Sequence, residues 1–133
     1  MKDSELIKTY EEAKECWDNN DYTKAQELLM VCIKQNYAPA QNLLGVMYYQ
    51  GKYFERNLKK AQEFWNLAAN QNYGPAVRNI ALTYLYGLDG EQDIERAIKY
   101  YKLSIKQNNV TSAYELGSIY YDGDFVKKDY SKA

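Results

Sequence analysis

The chain contains no histidine in 133 residues. The side chain most used for general acid–base work, and most used to hold transition metals, is therefore missing. Cysteine is scarce too. Cys16 and Cys32 make no close pair and no metal-type spacing. They read as small buried apolar residues, or else as one bridge between neighbouring helices, but not as a disulfide framework. Two prolines and seven glycines leave little punctuation, which favours an all-helical chain. Neither sign of charge dominates: 17 basic residues face 18 acidic ones, a net charge of −1. That balance argues against a dedicated nucleic-acid or membrane-surface binder. Long apolar runs are absent from the start, Met1-Lys2-Asp3-Ser4-Glu5-Leu6-Ile7-Lys8, so no signal peptide or membrane-inserting segment is expected there. A cytoplasmic protein is expected if Met1 is the native start; a removed leader is the alternative if it is not. What the chain has in excess is tyrosine, 15 residues, within a hydrophobic fraction of 46% that can fill a core.

The excess is periodic. Ala25, Ala61, Ala97 and Ala133 are spaced 36 apart, and so are Gln35, Gln71 and Gln107. Asn36, Asn72 and Asn108 keep the same spacing, as do Tyr48, Tyr84 and Tyr120, and Gly51, Gly87 and Gly123. Residues 21–56 and 57–92 align without a gap at 12 identities. Chance gives roughly two or three for so biased a composition, so this is a true internal repeat.

Each period predicts two helices. Asp21, Asn57, Asp93 and Asp129 precede the repeated alanine by four, where a side-chain oxygen caps the first free amides. Asn36, Asn72 and Asn108 follow the expected end of that helix, and asparagine tolerates the left-handed conformation that stops one. Pro39 and Pro75 suit the first turn of the next helix, and Gly51, Gly87 and Gly123 its C-terminal end. Helices are therefore expected near 4–18, 22–35, 38–50, 57–71, 74–86, 93–107 and 110–122. Leu58, Ala61, Phe64, Trp65, Ala68 and Ala69 recur at three- and four-residue spacing, one helical face. Small residues at Gly45, Ala81 and Gly117, and at Ala61 and Ala97, predict close helix crossings with tyrosine or leucine as filling.

This pattern resembles the Sel-one-like repeat, a member of the tetratricopeptide-repeat superfamily. The residues that carry the resemblance are Ala40-x-x-x-Leu44-Gly45-x-x-Tyr48-x-x-Gly51, then Lys60-Ala61 and Trp65 to Ala68-Ala69. The stretch Leu116-Gly117-x-x-Tyr120-Tyr121-x-Gly123 through Val126-x-x-Asp129-x-x-Lys132-Ala133 repeats it. The match begins near residue 21, and 1–20 read as a degenerate first helix with Ala13 in the small position. Asparagine replaces the usual glycine after the second helix. Tyr53, Asp89 and Phe125 replace a loop glycine, and Ser112 a usual alanine. The resemblance implies an all-α, right-handed superhelix of antiparallel helix pairs, a solenoid. Its repeats are expected at about 21–56, 57–92 and 93–128, with 129–133 starting an unfinished one. An unfinished repeat would leave Leu116, Ile119 and Tyr120 uncovered, which predicts a fragment of a longer array or self-association through this end.

Chemistry finds little support. Gly45 to Lys52 has five residues between its glycines rather than the four of a phosphate loop, and Tyr53 stands where a hydroxyl ligand for magnesium belongs. Asp122, Asp124 and Asp129 lack the ligand order of a calcium loop. Glu11, Glu12 and Glu15 have no partner acid or nucleophile. Lys99, Lys102 and Lys106 beside Tyr100 and Tyr101 form a basic stripe, read as a solvated face with core-facing rings rather than a nucleic-acid surface. No enzyme, metal or cofactor is expected.

The resemblance implies a scaffold that binds another protein. In this superfamily the free face of the first helix of each pair lines the concave side. By the helical period those positions are Tyr10, Lys14 and Trp17; Asn42, Val46 and Tyr49; Arg78, Leu82 and Leu85; and Tyr114, Ser118 and Tyr121. They vary between repeats while the packing face does not, and they are rich in aromatics with Arg78 central, the composition of a recognition surface. An adaptor that holds a protein segment is the expected role. A dedicated inhibitor, such as an immunity protein neutralising a toxin, is the alternative, and an enzyme or small-ligand protein the remote one.

Overall fold

A computed structural model describes residues 2–122. Seven helices and no strand are present among them: α1 (Asp3–Asp18), α2 (Tyr22–Lys34), α3 (Ala38–Gln50), α4 (Leu58–Ala69), α5 (Gly74–Tyr86), α6 (Ile94–Lys106) and α7 (Val110–Asp122). Every expected helix is found, with ends shifted by two residues at most. The described residues divide into two compact units, one with α1–α4 ending at Gln71 and one with α5–α7 starting at Asn72.

The boundaries are accurate because they are set locally. Asp21, Asn57 and Asp93 accept the backbone amides of Lys24, Lys60 and Arg96 at 3.3, 3.1 and 3.0 Å. Asn36, Asn72 and Asn108 sit at φ of 57°, 62° and 65°, the left-handed region where asparagine is tolerated. Asn20, at φ 64°, does the same at the end of α1. Gly51 and Gly87, at 66° and 59°, end α3 and α5. In the loops that follow, the amides of Asn57 and Asp93 both donate to the carbonyl of the repeated tyrosine, Tyr48 or Tyr84, at 2.9 Å. Gly123, Asp129 and Ala133 lie outside the described residues.

In unit 1, Leu6, Ala13, Leu29, Cys32, Ala40, Leu44 and Met47 form one buried cluster. Both cysteines are free. Cys32 is fully buried, its thiol pushed up by burial, and Cys16 is half-buried. Gly45 and Ala61 bring α3 and α4 together. A Cβ on Gly45 would lie 2.5 Å from Trp65 Nε1 and 3.0 Å from the Ala61 carbonyl. Tyr48 stacks on Phe54 and Phe64 at 4.2 and 5.9 Å, with the Lys60 ammonium 5.3 Å from its ring centroid. Gln71 Nε2 donates to Gln41 Oε1 at 2.9 Å and lies 3.4 Å from Asn36 Oδ1, which also accepts from Gln41 at 2.8 Å.

Unit 2 repeats the plan. Tyr84 stacks on Tyr100 with Arg96 above it, and Gln107 donates to Asn72 at 3.4 Å. The recurrence of glutamine one residue before asparagine thus has a cause at two of its three positions: Gln71 and Gln107 each reach the asparagine 35 residues earlier that ends the preceding repeat. Ser104 donates to the Gly74 carbonyl at 2.7 Å and accepts from Ser112 at 2.8 Å, both serines fully buried. That bond explains serine in the alanine place.

The core of unit 2 joins Ala81, Leu85, Ala97 and Tyr101 to Leu116 and Ile119. The expectation that Leu116 and Ile119 lack cover is therefore corrected. They face α5 and α6 and are 9% and 4% exposed; only Tyr120, at 49%, remains open.

Candidate protein-interaction surface

The twelve expected recognition residues fall into three environments. Some are tied into their own unit. Tyr10 packs edge-on against Tyr37 at 5.6 Å, Trp17 lies against Tyr22 at 4.9 Å with Lys52 over its ring, and Tyr49 rests on Trp65 at 5.9 Å with Arg56 over it at 5.0 Å. Arg78 reaches the Glu115 carboxylate through both Nε and an NH2 group, the latter at 3.1 Å. Its charge is spent on joining α5 to α7 rather than standing free at the centre of a binding face. Leu85 is buried at 3% and belongs to the core, which corrects its placement on a recognition surface. The reason is that α6 packs along α5, and Leu85 enters the cluster formed with Ala97 and Tyr101 of α6 and Leu116 and Ile119 of α7.

A second group is half-covered. Asn42, Val46 and Leu82 are half-buried, and Leu82 packs against the unit 2 core. The third group is open: Lys14 on α1, with Tyr114 and Tyr121 on α7 at 78% and 91% exposure. Ser118 lies between the two rings, half-buried. Tyr114, Ser118 and Tyr121 line one shallow depression together with Ala113 and Gly117.

Ala113 and Gly117 were missed as site residues because glycine at this phase is read as a packing residue. The signal was present: Gly117 is 72 residues after Gly45. Gly45 is filled by Trp65, while the Cβ position of Gly117 meets nothing within 4 Å among the described residues. Among the described residues the lining of the depression carries no charged side chain. Elsewhere, Lys99, Lys102 and Lys106 are exposed, Tyr101 is fully buried and Tyr100 is half-buried against Tyr84, so the basic stripe is a solvated face with inward rings.

The Sel1 repeat model matches residues 38–73, 74–109 and 110–133. The chain belongs to the Sel1 repeat family. The model divides the period at the start of α3, α5 and α7, whereas the frame expected from the sequence starts one helix earlier. Among solved structures, the chain is similar to a Sel1 repeat protein from Oxalobacter formigenes at 27% identity and TM-score 0.75, covering 86% of this chain and 46% of that one. It is also similar to a protective antigen of uropathogenic Escherichia coli strains that displays an SLR fold. That match has 26% identity and TM-score 0.76, over 88% of this chain and 26% of that one. The chain thus spans less than half of each. No curated protein sequence matches it. The fold is the all-α helical-repeat solenoid of this family, and Sel1 repeats are generally non-catalytic protein–protein interaction scaffolds. No helix among the described residues is long and apolar enough to cross a membrane.

Proposed function

We propose that this Sel1 repeat chain is an adaptor that binds a segment of another protein, without catalysis or cofactor, and that Tyr114, Ser118 and Tyr121 are its most available contacts. The observation that carries the reading is the pair of rings on α7, 78% and 91% exposed, flanking a floor of Ala113 and Gly117. Tyrosine supplies contact area at a low entropy cost, and a glycine floor leaves room for an inserted side chain. The packing of Trp65 against Gly45, at the same phase two repeats earlier, supports an inserted ring or aliphatic side chain over such a floor. An uncharged depression between rings suits an apolar side chain on a helical segment laid along the face. A cytoplasmic setting fits the two free cysteines.

The test is affinity capture from the native host with mass spectrometry, comparing wild type, Tyr114→Ala/Tyr121→Ala and Arg78→Ala. Both rings are exposed, so the double variant keeps its circular dichroism. It loses the proteins that wild type retains, whereas Arg78→Ala keeps them at a temperature where it is folded. Undiminished capture by the double variant overturns this placement of the site.

A further inference from the structure

The outer face of α6 carries Lys99, Lys102 and Lys106 with Leu103 among them, all exposed. Helix geometry keeps these four positions within about 100° of arc. No ion pair holds any of the three ammonium groups among the described residues. The fourth cation of the helix, Arg96, is engaged by Tyr84 and Asp93. Like charges three and four residues apart repel, and Leu103, 42% exposed, leaves apolar surface in water. Both costs vanish under a partner that is acidic and carries an aliphatic side chain.

Such a partner face exists on the chain itself. Helix α1 has six acidic residues against Lys8 and Lys14. Ile7, 46% exposed, has Asp3 one turn before it and Glu11 one turn after, with Glu15 beyond. None of these three carboxylates is held in an ion pair among the described residues, whereas Glu12 is held by Lys24. Lys14, on the same side, lies toward the Tyr10 ring. At 1.5 Å per residue the acids Asp3 to Glu11 span about 12 Å and the lysines Lys99 to Lys106 about 10 Å, closely matched lengths.

We propose that the basic face of α6 docks the α1 helix of a second copy of the chain, Ile7 against Leu103 and carboxylates opposite lysines. A nucleic acid would use the three lysines but gain little from Leu103, and a chain of net charge −1 gives it no general attraction. This contact is separate from the α7 depression and stands or falls independently of it.

Sedimentation velocity of the full chain over a concentration series tests the contact. Wild type shows a weight-average coefficient that rises with concentration in about 20 mM salt. Its association constant is at least about tenfold lower in about 300 mM salt. Lys99→Glu/Lys102→Glu and Glu11→Lys/Glu15→Lys each remain monomeric alone, and mixing the two restores association. Leu103→Asn weakens association without changing charge. A concentration-independent wild type, variants that associate as wild type does, or a mixture that stays monomeric overturns the proposal. So does capture of a short RNA through Lys99 and Lys102 by a monomeric chain. Circular dichroism confirms folding, and Lys99→Gln/Lys102→Gln replaces a charge reversal that does not fold.

Discussion

Replacing Gly45 by alanine and Gly117 by alanine, the same phase of two repeats, is expected to change stability in opposite directions. Both glycines lie inside helices, where glycine is less favourable than alanine by about 1 kcal/mol. At Gly117 nothing lies within 4 Å of the new methyl among the described residues, so that propensity term acts alone and the chain gains roughly 0.5–1 kcal/mol. At Gly45 the methyl would sit 2.5 and 2.6 Å from the Trp65 ring and 3.0 Å from a backbone carbonyl. An ordinary contact needs about 3.5 Å or more, so the ring must retreat by about 1 Å. Trp65 is 3% exposed, and close-packed interiors leave a ring little room to retreat cheaply. Overpacking costs about 1–3 kcal/mol, and subtracting the propensity gain leaves a net loss of roughly 1–2 kcal/mol. The next repeat suggests the remedy, because its counterparts of Gly45 and Trp65 are Ala81 and Tyr101. Gly45→Ala/Trp65→Tyr should therefore recover part of the loss, a favourable coupling of about 1 kcal/mol in a double-mutant cycle. Urea unfolding followed by circular dichroism measures all four variants, and tryptophan fluorescence adds a second probe wherever Trp65 is kept. A neutral or stabilising Gly45→Ala would refute the close-crossing argument, and so would a double variant that merely sums the two single losses.

Other substitutions separate terms of different origin. Tyr101 Oη is buried without a hydrogen-bond partner among the described residues, so Tyr101→Phe should gain about 1 kcal/mol in urea unfolding at neutral pH. Burial pushes the Tyr101 hydroxyl above its ordinary pKa of 10.0, so the folded state resists its ionisation. Stability is full below that unfolded value and falls as pH rises beyond it; unfolding midpoints from pH 8 upward should show Tyr101→Phe losing less than wild type. Asn108→Ala should cost about 1–2 kcal/mol for the left-handed conformation alone. Asn36→Ala should cost more, since Asn36 also accepts from Gln41 and Gln71, and equal losses in thermal unfolding would discount that network. Ser104→Ala removes the bond to the Gly74 carbonyl and leaves the buried Ser112 hydroxyl without its acceptor, which should cost about 1–3 kcal/mol, read in the same assay.

The sequence by itself determined the elements and their period. Helix ends depend on residues within a few positions of one another: Asp93 caps an amide three residues on, Asn108 turns its own backbone, and Gly87 ends the helix it follows. Such effects are local and can be read from spacing. The buried small positions were legible too, since a 36-residue recurrence of alanine leaves packing as its simplest cause. Tertiary structure alone decided which side chains stay available to a partner. Arg78 and Leu85 share a helical face with residues that vary between repeats, yet Arg78 is consumed by Glu115, 37 residues on, and Leu85 by the unit 2 core with Ala97, Tyr101, Leu116 and Ile119. Helical phase says which way a side chain leaves its own helix, not what stands there to meet it. That second answer comes from helices distant in sequence, so the same phase is filled by Trp65 at Gly45 and, among the described residues, open at Gly117.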